Sequence, residues 1–424
     1  MKRLQIFLIY GYIALFFVCC GNSDTQGNKR ISNDHSIENL GKDTIMKPVI
    51  NFYIENSGSM DGYVNGVTEF EQSIYSYLSD IKISGITDSL NLFYINAISI
   101  PVNSNADLDV ISDFIEKLEP TTFQKKGGNR GNTDISDVIK TVLTKTQQNS
   151  ISILVSDFIF SPGNGQKNPE EYMLNQQIGI KNTMATKFEI KNPAFVVYKL
   201  YSKFDGQFYY FDKNAKREFG KHYKGMRPFY IWIIGDVKDV SELCKQVPET
   251  KFKMQNEIKV FSVMAGNKEV SYAVKPYSGN FELSKKNTKT EILNLVRDNN
   301  SGKVKFAVNV NLSDLLLDDE YLTNPDNYEL SNKNYKISIK KSPSNDKGYT
   351  HTLSFTSDYV HKGILSIKLK KQEPLPQWIE EANDTDGSQP ELGKTYGIKF
   401  LIAGIFEGFT LKDKYYTEIK ININ

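Results

Sequence analysis

The stretch Phe52-Tyr53-Ile54-Glu55-Asn56-Ser57-Gly58-Ser59-Met60-Asp61-Gly62 runs from an apolar, strand-like segment into a carboxylate, two serines at alternate positions and a glycine turn. Carboxylates and hydroxyls are hard oxygen donors, suited to magnesium, manganese or calcium. The same residue types are also the preferred N-caps of helices. The stretch therefore holds an ion, caps the helix that follows, or does both. Two further pieces carry the same chemistry. One is Gly131-Asn132-Thr133-Asp134, in a glycine-rich loop before a helical pattern; the other is Ser156-Asp157, at the end of an apolar run.

Nucleophilic chemistry finds little support. Ser59, between Gly58 and Met60-Asp61-Gly62, does not form a G-x-S-x-G elbow. The four histidines are His35, His222, His351 and His361, and none is spaced to serve as the base that a serine nucleophile needs. Gly127-Gly128-Asn129-Arg130-Gly131 has the glycines of a phosphate cradle but lacks the Lys-Ser/Thr ending of a P-loop. No catalytic residue is assigned, and a non-enzymatic protein is expected. With 52 Lys and Arg against 50 Asp and Glu, and no long basic run, nucleic acid is a poor partner.

The elements that position these oxygens can be read from apolar spacing. Residues 48–54 and 90–95 read as strands, and Phe70, Ile74, Tyr77, Leu78 and Ile81 share one face of a helix. Leu108, Ile111, Ile115 and Leu118 mark a second helix, ended by Pro120. Ile135, Val138, Ile139, Val142 and Leu143 mark a third. Residues 151–155 form a buried strand, followed by a polar helix over 169–187. Residues 194–198 and 229–234 complete the strands, with 207–211 between them looking like a hairpin strand. This alternation predicts an α/β domain over residues 47–247, built on a doubly wound, mostly parallel sheet with helices on both faces. Such sheets bind ligands at the carboxyl ends of strands, near a reversal of strand order, and Glu55 stands at one such end.

After Pro248 the period changes to two. Val304, Phe306, Val308 and Val310, then Tyr335, Ile337 and Ile339, then Leu365, Ile367 and Leu369, and last Ile419, Ile421 and Ile423 alternate with polar residues. This predicts a C-terminal β-sandwich-like domain over 248–424, with short helices near 313–321 and 376–383.

In their order and their placement on a βα framework, the three oxygen-bearing pieces resemble the von Willebrand factor type A domain and its metal-ion-dependent adhesion site. The resemblance covers residues 47–247. It implies that Ser57 and Ser59 are the two hydroxyl ligands, Thr133 the distant threonine and Asp157 the later aspartate, with Glu55 where an aspartate is usual. It further implies a divalent cation, Mg2+ or Mn2+ with Ca2+ as the alternative, and an open coordination position taken by a protein partner's carboxylate. The extra methylene of Glu55 moves its carboxylate out by about 1.5 Å, which calcium tolerates better than magnesium. Asp61 and Asp134 are the carboxylates nearest in sequence that stand in reserve.

At the start of the chain, Met1-Lys2-Arg3 precedes an apolar run from residue 6 to 20. That run is shorter than the roughly 20 residues a spanning helix needs and has the size of a secretory core. It ends in Phe17-Val18-Cys19-Cys20-Gly21-Asn22, which resembles a bacterial lipoprotein signal. The expectation is a signal peptide over 1–20, lipidation at Cys20 (alternatively Cys19) and a polar, flexible tether over 21–46. Cys244 is then left without a disulfide partner and reads as a small buried helix residue. The apolar run 400–406 is too short to span a bilayer. The chain is thus expected to be a membrane-anchored lipoprotein of the cell envelope, at the outer membrane rather than the inner, engaging a protein partner through a divalent cation. The alternatives are a metal-independent envelope scaffold or assembly subunit and, less favoured, an envelope metal-dependent hydrolase.

Overall fold

The computed structural model describes residues 46–131, 133–343, 348–373, 375–385, 391–411 and 413–424. The expected signal peptide, the lipidation position at Cys20 or Cys19, the tether up to Ile45 and Asn132 lie outside the described residues. Residues 46–424 form one compact unit.

The first half runs β1 (Val49–Glu55), α1 (Glu69–Ser84), β2 (Leu90–Ile95), β3 (Ser99–Asn103), α2 (Leu108–Glu116), α3 (Pro120–Lys125), α4 (Ile135–Lys145), β4 (Ser150–Ser156), α5 (Pro169–Thr186), β5 (Pro193–Asp212), β6 (Arg217–Asp236), α6 (Val237–Gln246) and β7 (Lys259–Met264). Local chemistry explains many of the ends. Thr68 caps α1, which stops at Gly85 in the left-handed region. Asp134 caps α4, and Asn168 caps α5 just before Pro169.

The seven strands form one sheet in the order β3-β2-β1-β4-β6-β5-β7. Its centre, β2-β1-β4, is parallel. The other neighbours pair antiparallel, so β1, β2, β4 and β5 run one way and β3, β6 and β7 the other. The expected doubly wound sheet is therefore mixed, with its parallel character at the centre. The reason lies in β5 and β6. The sequence suggested separate strands at 194–198, 207–211 and 229–234, but the structure fuses them into one hairpin, paired from Pro193↔Asp236 to Asp212↔Arg217. A four-residue loop, 213–216, can join only antiparallel strands.

The second half runs β8 (Tyr272–Val274), β9 (Asn280–Leu283), β10 (Glu291–Val296), β11 (Val304–Val310), α7 (Asp319–Thr323), β12 (Tyr328–Leu330), β13 (Lys336–Lys341), β14 (His351–Ser357), β15 (Gly363–Lys370), α8 (Gln377–Ala382), β16 (Asn383–Asp384), β17 (Thr395–Tyr396), α9 (Ile398–Thr410) and β18 (Tyr415–Ile423). Two larger sheets, β12-β15-β18-β10-β9 and β13-β14-β11-β8, are antiparallel except at the β10–β18 pair. Phe306, Val308, Leu353 and Phe355 of one sheet share an apolar cluster with Leu365, Ile367, Ile419 and Ile421 of the other.

The large sheet is covered on both faces. Ile50, Phe52, Ile54, Ile153, Val155 and Ile231 face α1, α2 and α6. Tyr53, Leu154, Phe195, Trp232 and Ile234 face α4, α5 and, unexpectedly, α9. Ile398, Leu401, Ile402 and Ile405 of α9 complete that cover, and Gly404 lets the helix approach α5, where a Cβ would lie 2.7 Å from the Gln177 carbonyl oxygen. The α/β layer thus takes an edge strand, β7, and a helix, α9, from beyond the boundary expected at residue 247. The run 400–406 is part of this cover, and no helix among the described residues is long and apolar enough to cross a membrane.

Candidate functional site

The order 3-2-1-4 at one side of the sheet is that of a doubly wound fold, and chain connections diverge between β1 and β4. Glu55 ends β1 and Ser156 ends β4, so the carboxyl ends of these two strands open at the switch point. Ser156 Oγ donates a short hydrogen bond to Glu55 Oε2, and Phe158 N donates to Ser156 Oγ at 2.7 Å.

Beyond β1 the chain turns into a single 3-10 turn, Gly58–Tyr63. Ser57 occupies its N-cap position with extended backbone, yet its side chain makes no capping bond. Instead the Ser57 and Ser59 hydroxyls meet at 3.0 Å. Thr133 Oγ1 donates to Asn129 O at 3.2 Å and leaves the capping of α4 to Asp134, whose Oδ1 accepts from Ser136 N at 2.8 Å. Asp134 is also held by Tyr172, and Asp61 is paired with Arg130, so neither reserve carboxylate is free for the site.

Glu55, Ser57, Ser59 and Thr133 line one open cleft of about 140 Å³. Asp157 does not line it and is 1% exposed, with Oδ1 accepting from Ile159 N at 3.4 Å and Oδ2 buried without a partner. Burial, reinforced by the Asp157 charge, pushes the Glu55 carboxyl up to about 7, against the pull of the Ser156 and Ser57 hydroxyls. Burial also raises Asp157, against Arg227, the Ile159 amide and the Ser59 hydroxyl. The five residues named from the sequence thus converge: each carboxylate has a serine beside it, and the two serines touch. The donors are hard oxygens of the kind that suit a hard cation, and Asp157 Oδ2 is buried without a hydrogen-bond donor. The set relies on hydroxyls, since among the described residues no three His, Cys, Asp or Glu side chains gather as a metal cluster.

Sequence reasoning missed the groups that shape the cleft. Arg130, seen only as part of a glycine-rich loop, ties the loop after β1 in place: Nε donates to Asn56 O at 2.6 Å and Nη2 to Ser57 O at 3.1 Å. Asn56, wholly buried, accepts from Asn96 Nδ2 at 2.9 Å. The far half of the β5–β6 hairpin reaches over the site, bringing Tyr209, Tyr210 and Glu218 to the cleft wall. It seats on the 3-10 turn at Gly206, where a Cβ would lie 2.7 Å from Gly62 Cα. No local pattern announces such a reach, because it depends on which strands pair.

Cys244 lies in α6 as expected, half-buried, accepting from Tyr198 Oη at 3.5 Å, and burial raises its thiol to about 11. Compared with known proteins, the chain matches no family model, and no curated protein matches it.

Proposed function

We propose that the cleft at the ends of β1 and β4 holds one divalent cation through Ser57, Ser59, Thr133, Glu55 and Asp157, and that the chain uses it to bind a protein partner. In this reading the α/β layer is a variant of the von Willebrand factor A fold with an antiparallel flank. The two C-terminal sheets form a β-sandwich, and Cys20 carries the lipid that anchors the chain in a bacterial envelope.

The observation that carries the reading is the orphaned Asp157 Oδ2 next to Glu55. Two neighbouring carboxylates this deeply buried resist joint ionisation. A hard cation such as Mg2+, Mn2+ or Ca2+, when bound, neutralises the pair and offers its remaining position to an outside carboxylate. The chain's own residues do the rest. Ser57 and Ser59 present lone pairs from alternate positions, Thr133 keeps its oxygen free to accept because its proton goes to Asn129, and Arg130 holds the loop backbone still.

A metal-independent scaffold is favoured by one observation. Ser156 already donates to Glu55, whose raised affinity for a proton lets a proton stand where the cation would.

The test is thermal unfolding of residues 46–424 in EDTA and then with each metal. An ion at 100 times its dissociation constant adds about 2.7 kcal/mol, a shift of roughly 3 °C or more in a unit this large. Asp157→Ala should abolish it. Absence of any shift at millimolar metal would leave the scaffold reading in possession.

A further inference from the structure

Arg227 of β6 is fully buried, and neither Nη1 nor Nη2 has a hydrogen-bond partner. Its guanidinium lies over the ring of Phe208, at 4.1 Å, and over that of Phe204, at 5.1 Å. Nε donates to Tyr63 Oη at 3.4 Å, and that hydroxyl donates onward to Pro228 O at 2.5 Å. Cation–π attraction offsets only part of the cost of taking a guanidinium out of water. A buried cation in such surroundings calls for an anion.

Strand register puts a buried carboxylate on the same face. β4 and β6 pair Val155 with Ile231 and Ser156 with Tyr230. Asp157 comes next on one strand, and Arg227 stands three residues before Tyr230 on the other. Side chains alternate between faces: Val155, Phe229 and Ile231 meet the cluster with α1, while Leu154, Tyr230 and Trp232 meet the cluster with α9. Asp157 and Arg227 both fall on the first face, just past the last backbone pair. Asp157 Oδ2 is likewise buried and without a partner.

The geometry points to Arg227 as the built-in counter-ion of Asp157, a fixed positive charge that the hairpin carries in behind the carboxylate, away from the cleft. Arg227 then offsets part of the negative charge of Asp157 and leaves the rest, with that of Glu55, to face the cleft. Arg227 is a positioning residue here, since it does not line the cleft.

A double-mutant cycle on residues 46–424 in chelator tests this, so its outcome does not depend on the proposed ion site. Arg227→Met should lower the unfolding midpoint by roughly 5 °C or more, because it strands a buried charge. In an Asp157→Asn background the same change should cost less than half as much. Equal losses in the two backgrounds overturn the assignment and make Arg227 a space-filler against Phe204 and Phe208. Should Arg227→Met fail to fold, the double variant decides: recovery of the fold supports the pairing, and continued failure overturns it.

Discussion

The hydroxyls of Ser57 and Ser59 stand 3.0 Å apart, while α1, the first helix after them, is capped from elsewhere, by Thr68. Sequence alone left both capping and ion binding open for these serines. With α4 capped by Asp134, Thr133 is released in the same way.

Capping and ion binding therefore separate by mutation. Thr68→Ala should cost about 1 kcal/mol with and without metal, as the loss of a cap does. Ser59→Ala should remove the stabilisation by added metal and leave the helix content of the chelated protein unchanged. Urea unfolding followed by circular dichroism, with and without magnesium, reads both. A Ser59→Ala protein that metal still stabilises would exclude Ser59 as a ligand.

The metal-free protein should lose stability as pH rises. Burial lifts the Glu55 carboxyl from 4.5 to about 7, so the native state binds that proton more tightly than the unfolded chain. Its contribution is complete below 4.5 and is lost as pH rises through about 7. Glu71, raised to about 7 by burial, acts in the same window, so the quantity to follow is the difference from Glu55→Gln. Wild-type midpoints in EDTA should fall relative to the variant across this range. Parallel curves would show that Glu55 does not titrate there.

The seat of the hairpin depends on two facing glycines. A Cβ on Gly206 would lie 2.7 Å from Gly62 Cα and 2.9 Å from its nitrogen, and backbone cannot swing aside as a side chain does. Gly206→Ala should destabilise by about 1–3 kcal/mol, as overpacking does. Gly393→Ala, where nothing lies within 4 Å, should stay near wild type. Denaturant midpoints of the two variants check the contrast.

A fragment ending at residue 247 should not fold. It would lack β7 at the sheet edge and α9 over Trp232 and Phe195, exposing a face that is wholly buried in the complete unit. Expression of residues 46–247 should give aggregated or unfolded protein, visible by gel filtration and circular dichroism. A soluble, cooperatively melting fragment would show that the α/β layer is independent.

What the chain states locally, it states clearly. The period of Phe70, Ile74, Tyr77, Leu78 and Ile81 is the buried stripe of α1, and residues 90–95 are β2 to the residue. The oxygen-bearing residues could be named because Glu55, Ser57, Ser59, Thr133 and Asp157 sit next to apolar runs whose ends mark strand and helix termini. Helical and strand periods arise from the geometry of neighbouring residues, so they survive in the sequence.

Pairing leaves no such trace. That 194–198, 207–211 and 229–234 belong to one hairpin, that Arg227 falls on the same face as Asp157, and that α9 closes a sheet begun some 350 residues earlier follow from register and from competition for apolar surface. Those are contacts between distant segments, settled only when the chain is compact. Residue types and local spacing thus marked which oxygen-bearing side chains stand at the strand and helix ends around the cleft. Tertiary structure decided that they meet, that neither serine caps a helix, and that Arg227 is buried on the face Asp157 shares.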